Sequence, residues 1–150
     1  MRALIQRVRR ASVTVDGKVV GSCGHGLLVL LGVGQHDDEA VADKLWRKMR
    51  DLRIFDDEAG KTNLSLLDVG GEALVVSQFT LYANCKRGRR PSFTEAGEPG
   101  RANELYEYVC GLAEQDLGKE HVGRGAFGAM MDVELVNDGP FTVWLDTDEL

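Results

Sequence analysis

The sequence predicts an α/β sandwich made mostly of strands, and three observations predict it. Apolar runs such as Gly26–Val33 and Ala73-Leu74-Val75-Val76 are too short for helices and suit strands covered on both faces. Only two stretches, from Asp37 or Asp38 to about Leu52 and from about Gly100 to Leu117, carry a helical apolar stripe. The remaining connections are short and turn-like, and the order reads β-β-β-α-β-β-α-β-β, with the helices covering one side of the sheet layers.

Each element follows from local chemistry. Ala11–Val15 alternates apolar and polar residues, Asp16-Gly17 supplies the positive φ of a tight turn, and Lys18–Ser22 resumes the pattern. Asp37 or Asp38 caps the first helix, whose stripe is Val41, Leu45, Met49 and Leu52. Arg53-Ile54-Phe55 reads as a short strand ended by the turn-rich Asp56–Lys61, and Gly70-Gly71 introduces the strand Glu72–Ser77. In the second helix Ala102, Leu105, Tyr106, Val109, Leu112 and Leu117 form the buried face. Gly111 weakens that helix by about 1 kcal/mol relative to alanine, and Gly118 is its stop. Met131–Val136 and Thr142–Leu145 close the chain as two strands.

At 150 residues the chain is expected to be one domain, 1–150, with no internal repeat or linker. A chain of this size buries about 68–70% of its unfolded surface, which is enough for a core without staples. The longest apolar stretch falls far short of the ~18 residues of a membrane span, and arginines interrupt the opening strand where a leader would be apolar. The expected location is the cytoplasm, with no membrane partner. Cys23, Cys85 and Cys110 are an odd number at no metal-like spacing, and His25, His36 and His121 stand alone. Neither a metal nor another cofactor is expected.

A net charge of −6 argues against indiscriminate nucleic-acid binding, and DNA is not an expected partner. The charge is uneven, however: Lys86-Arg87-Gly88-Arg89-Arg90 places four cations in five residues. On charge alone a solvated loop is the plainer reading. A local basic patch on an acidic body also fits a protein that grips one end of an RNA.

Two motifs carry chemistry. Ser77-Gln78-Phe79-Thr80-Leu81 leaves the buried strand, so hydroxyl and amide groups emerge at its end. A serine or threonine nucleophile needs a base, yet the sequence has no Gly-x-Ser-x-Gly elbow and no histidine with an obvious partner. Strand-end bonding to backbone is the ordinary role of such hydroxyls. The second motif, Asn137-Asp138-Gly139-Pro140-Phe141-Thr142, inserts Gly-Pro where a hairpin needs only a turn.

Together these motifs resemble the D-aminoacyl-tRNA deacylases, and the resemblance runs from Ala3-Leu4-Ile5-Gln6-Arg7-Val8 to Val143-Trp144-Leu145. It implies a three-layer helix/sheet/sheet sandwich with mixed strands and a homodimer. It also implies hydrolysis of the ester of D-aminoacyl-tRNA, with glycyl-tRNA accepted as well. Ser77, Gln78, Phe79 and Thr80 would line the pocket for the terminal adenosine and aminoacyl group. Thr80 is one candidate nucleophile; the alternative leaves the chemistry to the tRNA's own terminal 2′-OH, with backbone N–H groups orienting the ester. A cis Gly139-Pro140 of one subunit would reach into the other's pocket and exclude L side chains, with Arg7 propping it. Ala102, Phe127 and Met131 match family positions near the adenine and aminoacyl pocket.

Three departures stand out: Met130 at an often acidic position, Phe141 where valine is usual, and Asn84-Cys85 in place of Asp-Thr. Two other functions compete with the deacylase reading: a non-catalytic module binding the tRNA end, and a threonine-dependent hydrolase of small esters.

Overall fold

The computed structural model describes all 150 residues, Met1–Leu150. Its strands are β1 (Arg2–Val15), β2 (Lys18–Cys23), β3 (Gly26–Gly32), β4 (Phe55–Asp56), β5 (Thr62–Leu64), β6 (Glu72–Ser77), β7 (Val122–Arg124) and β8 (Asp132–Asp146). The helices are α1 (Glu39–Asp51) and α2 (Pro99–Leu117), with a 3-10 turn at Phe79–Tyr82. Strand order is β2-β1-β3-β6-β7, with β8 along the other edge of β1, and β4 and β5 form a separate pair. The sheet is mixed: β1 runs antiparallel to β2, β3 and β8, whereas β3, β6 and β7 are parallel. Parallel neighbours need long crossovers, and α1 and α2 lie in the segments that connect β3 to β6 and β6 to β7.

Side-chain parity separates two cores. In β3, Leu27, Val29 and Leu31 face the helices, while Leu28 faces a second cluster with Leu74 and Val76. β1 changes allegiance along its length. Ala3 and Ile5 pack under the helices, but Val8, Ala11 and Val13 pack in the second cluster. A strand keeps its parity unless a residue is inserted, and the β1–β8 register shifts twice, between Gln6 and Val8 and between Val8 and Arg10. β1 thus serves both cores, and the layers are helix, sheet and sheet.

β8 follows β1 through the same change, with Phe141 and Val143 packed on the first core and Met131, Val133 and Leu135 on the second. The expected pair of closing strands is therefore a single strand. Gly139-Pro140 does not break it, because proline is tolerated at a bulge on an edge where no ladder bond is lost. The layers close tightly where β2 crosses β7: a Cβ on Gly21 would fall 2.0 Å from the Arg124 carbonyl oxygen, and one on Gly123 2.3 Å from that of Ser22. Glycine is required at both positions.

The helices largely follow their sequence pattern. The Asp38 carboxylate caps α1 through the Val41 N–H at 2.9 Å, while Asp37 instead accepts from Gly34 at 2.6 Å. α1 buries Ala42, Leu45, Trp46 and Met49; Val41 and Leu52 flank them, half-buried. α2 begins with Pro99 in the first turn, and Glu98 caps the N–H groups of Gly100 and Arg101 at 2.8 and 2.9 Å. Neither helix is long and apolar enough to cross a membrane.

Candidate active site

The first cluster forms at the C-terminal end of β6. Ser77 pairs with Leu31 of β3, and the Gln78 N–H donates to the Leu31 carbonyl at 2.7 Å before the chain turns into the 3-10 turn. No side chain caps that turn, so its first backbone N–H groups keep no side-chain partner. The Gln78 side-chain amide donates to the Thr80 hydroxyl oxygen. Thr80 therefore meets an amide rather than an imidazole, amine or carboxylate that could take its proton. Phe79 is 56% exposed and packs edge-on against Phe93 at 5.2 Å.

The segment after β7 folds back onto this strand end. The Gly125 N–H donates to the Val75 carbonyl at 3.0 Å, and a Cβ on Gly125 would lie 3.0 Å from the Met131 Sδ. Tyr106 of α2 reaches the same carbonyl through its hydroxyl at 2.9 Å, and its ring lies 6.1 Å from that of Phe127. Burial pushes the Tyr106 phenol well above its ordinary pKa, which keeps it a hydrogen-bond donor. Ala102 is buried one turn earlier on α2. Phe127 and Met131 thus gather with Ser77 around the end of β6, with Gln78, Phe79 and Thr80 just beyond, while Ala102 stands one turn before Tyr106 on α2. Tyr106 and Gly125 belong to the same neighbourhood. Sequence reasoning gave Tyr106 only a core role and missed Gly125. Apolar periodicity hides a buried hydroxyl, and a glycine needed for close approach carries no local signal.

Arg7 and Gly139-Pro140 lie elsewhere. The Arg7 side chain is 5% exposed and unusually well partnered. Its Nε donates to the Asp138 carbonyl at 3.0 Å, its Nη1 to the Ile54 carbonyl at 2.6 Å, and its guanidinium sits 4.5 Å from the centre of the Phe141 ring. The Asp138 carboxylate pairs with the same Nε at 3.2 Å. Asn137 cinches the bulge from the other side, donating to the carbonyls of Arg7 at 2.9 Å and Phe141 at 3.1 Å. Phe141, the departure from valine, thereby gains a cation–π partner as well as core contact. The Gly139-Pro140 peptide is cis, and both residues are exposed. Met130, at 92% exposure, points into solvent.

One chain does not bring the two clusters together. Arg7 pairs with Leu27 at the start of β3, whereas Ser77 pairs with Leu31 near its end. β8 and β6 are separated by β1 and β3. At about 3.3 Å per residue along a strand and about 4.8 Å between strands, Pro140 and Ser77 stand roughly 20 Å apart.

A cleft lies in a third place, between the outer faces of α1 and α2, lined by Trp46, Arg50, Leu112 and Asp116 among others. Three of its polar groups satisfy one another: Trp46 Nε1 and Arg50 donate to Asp116 at 2.8 and 2.6 Å.

A layered helix/sheet/sheet fold with hydroxyl, amide and free backbone N–H groups at a strand end suits ester hydrolases that work by positioning, and comparison with known proteins specifies which. The profile of the family described as D-Tyr-tRNA(Tyr) deacylase matches residues 4–146. A D-aminoacyl-tRNA deacylase of Thermomicrobium roseum is 59% identical over all of this chain and 96% of its own length. One from Aquifex aeolicus is 57% identical over the whole of both chains. Among solved structures, one described as a c-Myc DNA unwinding element binding protein superposes with a TM-score of 0.92, at 39% identity over 97% of this chain and 98% of its own. A probable eukaryotic D-amino acid tRNA deacylase gives 0.85 at 17% identity, covering 96% of this chain and 97% of its own, which speaks to the fold alone. The chain belongs to the D-aminoacyl-tRNA deacylase family, and it is a tRNA deacylase, a hydrolase of carboxylic esters.

Proposed function

We propose that this enzyme, as a single-domain homodimer, removes D-amino acids from mischarged tRNA and spares L-amino acids. The observation that carries the proposal is the separation of Arg7-braced Gly139-Pro140 from the Ser77–Thr80 strand end within one chain. Gly139-Pro140 is exposed and the strand end is half-buried beside exposed Phe79; each is incomplete by itself, and a second copy related by a two-fold axis would supply each with the other. In that pocket the Gly139-Pro140 carbonyl oxygens hold the substrate's α-amino group. The space beside them excludes any L side chain whatever its shape. Glycine, with no side chain to exclude, passes, so glycyl-tRNA mischarged on tRNA(Ala) is also hydrolysed.

The reaction adds water to the ester carbonyl carbon, and the tetrahedral intermediate expels the terminal ribose oxygen, which takes up a proton. Backbone N–H groups at the start of the 3-10 turn hold the developing oxyanion. The neighbouring 2′-OH of the substrate activates the water, and Ser77, Gln78, Phe79 and Thr80 position the terminal adenosine. Ala102, Phe127 and Met131 form the apolar wall of the pocket. The bond from Gln78 to Thr80 supports this division of labour, because Thr80 lacks the base a nucleophile needs. The aminoacyl ester is already labile, so positioning supplies much of the acceleration. No metal or other cofactor enters the scheme. The partner is the aminoacylated 3′ end of tRNA in the cytoplasm, with no DNA or membrane involved.

The test is release of amino acid from D-tyrosyl-, L-tyrosyl- and glycyl-tRNA at low enzyme concentration. Rapid loss of the D and glycyl esters with the L ester spared is the expected result; equal loss of the D and L esters would leave Gly139-Pro140 without a filtering role. Complementation tests the composite pocket. A Gly139-Pro140 deletion variant and a Ser77–Thr80 variant, each inactive alone, should recover activity when refolded together.

A further inference from the structure

We propose that the hairpin 85–91 is a second contact for tRNA, a phosphate-binding arm that grips the RNA strand leading to the 3′ end held at Ser77–Thr80. The inference rests on the deacylase reading of that site and adds a surface to it.

Four observations lead there. Lys86, Arg87, Arg89 and Arg90 are all exposed, and none joins any of the chain's ion pairs, although the chain is acidic overall and most of its other arginines are paired. Unpaired cations clustered on an acidic body repel one another, and an approaching polyanion relieves that repulsion. The arm also has a fixed base. Asn84 and Ser92 exchange backbone bonds at 2.7 and 2.9 Å, the Asn84 side chain accepts from the Lys86 N–H at 3.0 Å, and Gly88 turns the tip at a φ of +67°. Three residues on each side of that tip carry the cations up to about 10 Å from the base.

The third observation is continuity with the site. The Ala83 N–H donates to the Thr80 carbonyl at 3.0 Å, and Arg2 bonds the Leu81 carbonyl at 3.1 Å while lying 4.4 Å from the centre of the Tyr82 ring. The arm therefore starts from the turn that carries Gln78 and Thr80. The fourth is aromatic: Phe93, just past the arm, is 37% exposed and meets Phe79 edge-on, so two rings face solvent between the cations and the strand end. Exposed aromatics beside a basic track are the surface on which unpaired bases stack while their phosphates are held. The ligand chemistry is a phosphodiester backbone with a single-stranded end.

The experiment compares the native enzyme with a variant carrying Lys86→Ser, Arg87→Ser, Arg89→Ser and Arg90→Ser. A second variant, with Lys86→Arg, Arg87→Lys, Arg89→Lys and Arg90→Lys, keeps the charge. Two substrates are used, full-length D-tyrosyl-tRNA and the D-tyrosyl ester of the trinucleotide CCA. Binding of uncharged tRNA is followed by fluorescence anisotropy across a salt series. The neutral variant should raise KM for full-length tRNA at least about tenfold, and its log–log salt slope should shrink by about 3, close to 0.7 for each of four lost contacts to a single strand. Its kcat/KM on the trinucleotide ester should stay within about twofold of native, and the charge-keeping variant should track the native enzyme throughout. An unchanged salt slope would overturn the proposal. So would an equal loss on both substrates, which would mean the arm acts on the reacting end. If the native enzyme hydrolysed neither ester, the deacylase reading would fall, while the anisotropy slopes would still decide whether the arm binds RNA.

Discussion

Arg7 Nε donates to the carbonyl oxygen of Asp138 at 3.0 Å, although the two residues lie 131 positions apart in sequence. The same guanidinium satisfies Ile54 and stacks on Phe141, so a single side chain fixes the backbone on both sides of Gly139-Pro140. Replacing Arg7 with methionine keeps much of the apolar stem but strands the Asp138 and Ile54 carbonyls. Breaking one side of a buried charged pair costs about 3–5 kcal/mol, and because Asp56, which Arg7 Nη1 also reaches at 3.4 Å, is exposed, Arg7→Met falls near the lower end. Urea unfolding should show that loss, and the surviving enzyme should discriminate less between D- and L-tyrosyl-tRNA.

Gly139 tests selectivity without a stability penalty. A Cβ there would approach only Asn137 Oδ1, at 3.4 Å, and the residue is exposed. Gly139→Ala should therefore unfold within about 1 kcal/mol of native. If the Gly-Pro segment faces the substrate's Cα, turnover of D-tyrosyl-tRNA should nonetheless fall, because the added methyl occupies the pocket of the partner subunit.

Thr80→Val removes the hydroxyl and keeps the shape. A residue acting as nucleophile or base would take at least about 10²-fold of the rate with it. Here the hydroxyl accepts from Gln78 and has no base, so the loss in kcat should stay below tenfold. A tRNA ending in 2′-deoxyadenosine should lose far more. Single-turnover kinetics on both substrates separates the two mechanisms, and full activity on the deoxy terminus would exclude assistance by the 2′-OH.

Two glycines should respond in opposite ways to alanine. Gly21→Ala drives a methyl into the Arg124 carbonyl, 2.0 Å away, where only backbone can yield. That overpacking should cost roughly 3 kcal/mol or more. Gly111 lies inside α2 with nothing within 4 Å of a new Cβ, and Gly111→Ala should stabilise by up to about 1 kcal/mol. Thermal unfolding of the pair checks both.

Acid should unfold the protein through two carboxylates. Burial acts to raise Asp116 and Asp146, yet bonds from Arg50 and Trp46 to the first, and from the Asp148 N–H and Arg2 to the second, hold both below the ordinary range. A depressed folded pKa adds stability that is fully present above the unfolded value, about 3.9, and disappears as pH falls through the folded one. Urea midpoints should be level in this respect from pH 7 to 5 and fall below about pH 4. Asp116→Asn should be less stable at neutral pH and flatten part of that acid slope.

The sequence was most legible where burial is uniform. β3, β6, the Asp16-Gly17 turn and both helices follow from apolar runs, periodicity and caps, since each reflects packing on a nearby surface. It was least legible where one strand serves two surfaces. Arg9 and Arg10 are exposed at the change of face and look like an interruption, so the full length of β1 could not be read. Gly139-Pro140 looked like a break for the same reason, although β8 continues through it. The short strands β5 and β7 carry too few residues for a period. At the site, the SQFTL and NDGP motifs and Arg7 stood out because polar groups interrupt apolar strands. Tyr106 and Gly125 did not, because their roles arise only from what the fold sets beside them.

The double shift of register near Val8 has a consequence for how this chain tolerates insertion and deletion. Losing or gaining one residue between Gln6 and Ala11 would turn either Ala3 and Ile5 or Ala11 and Val13 away from the core each one fills, and would carry the paired half of β8 with it. The arm at 85–91, closed by one reciprocal pair of bonds, carries no such parity. Its length can drift freely, so the molecule can renegotiate its grip on RNA while the frame behind it stays fixed in step.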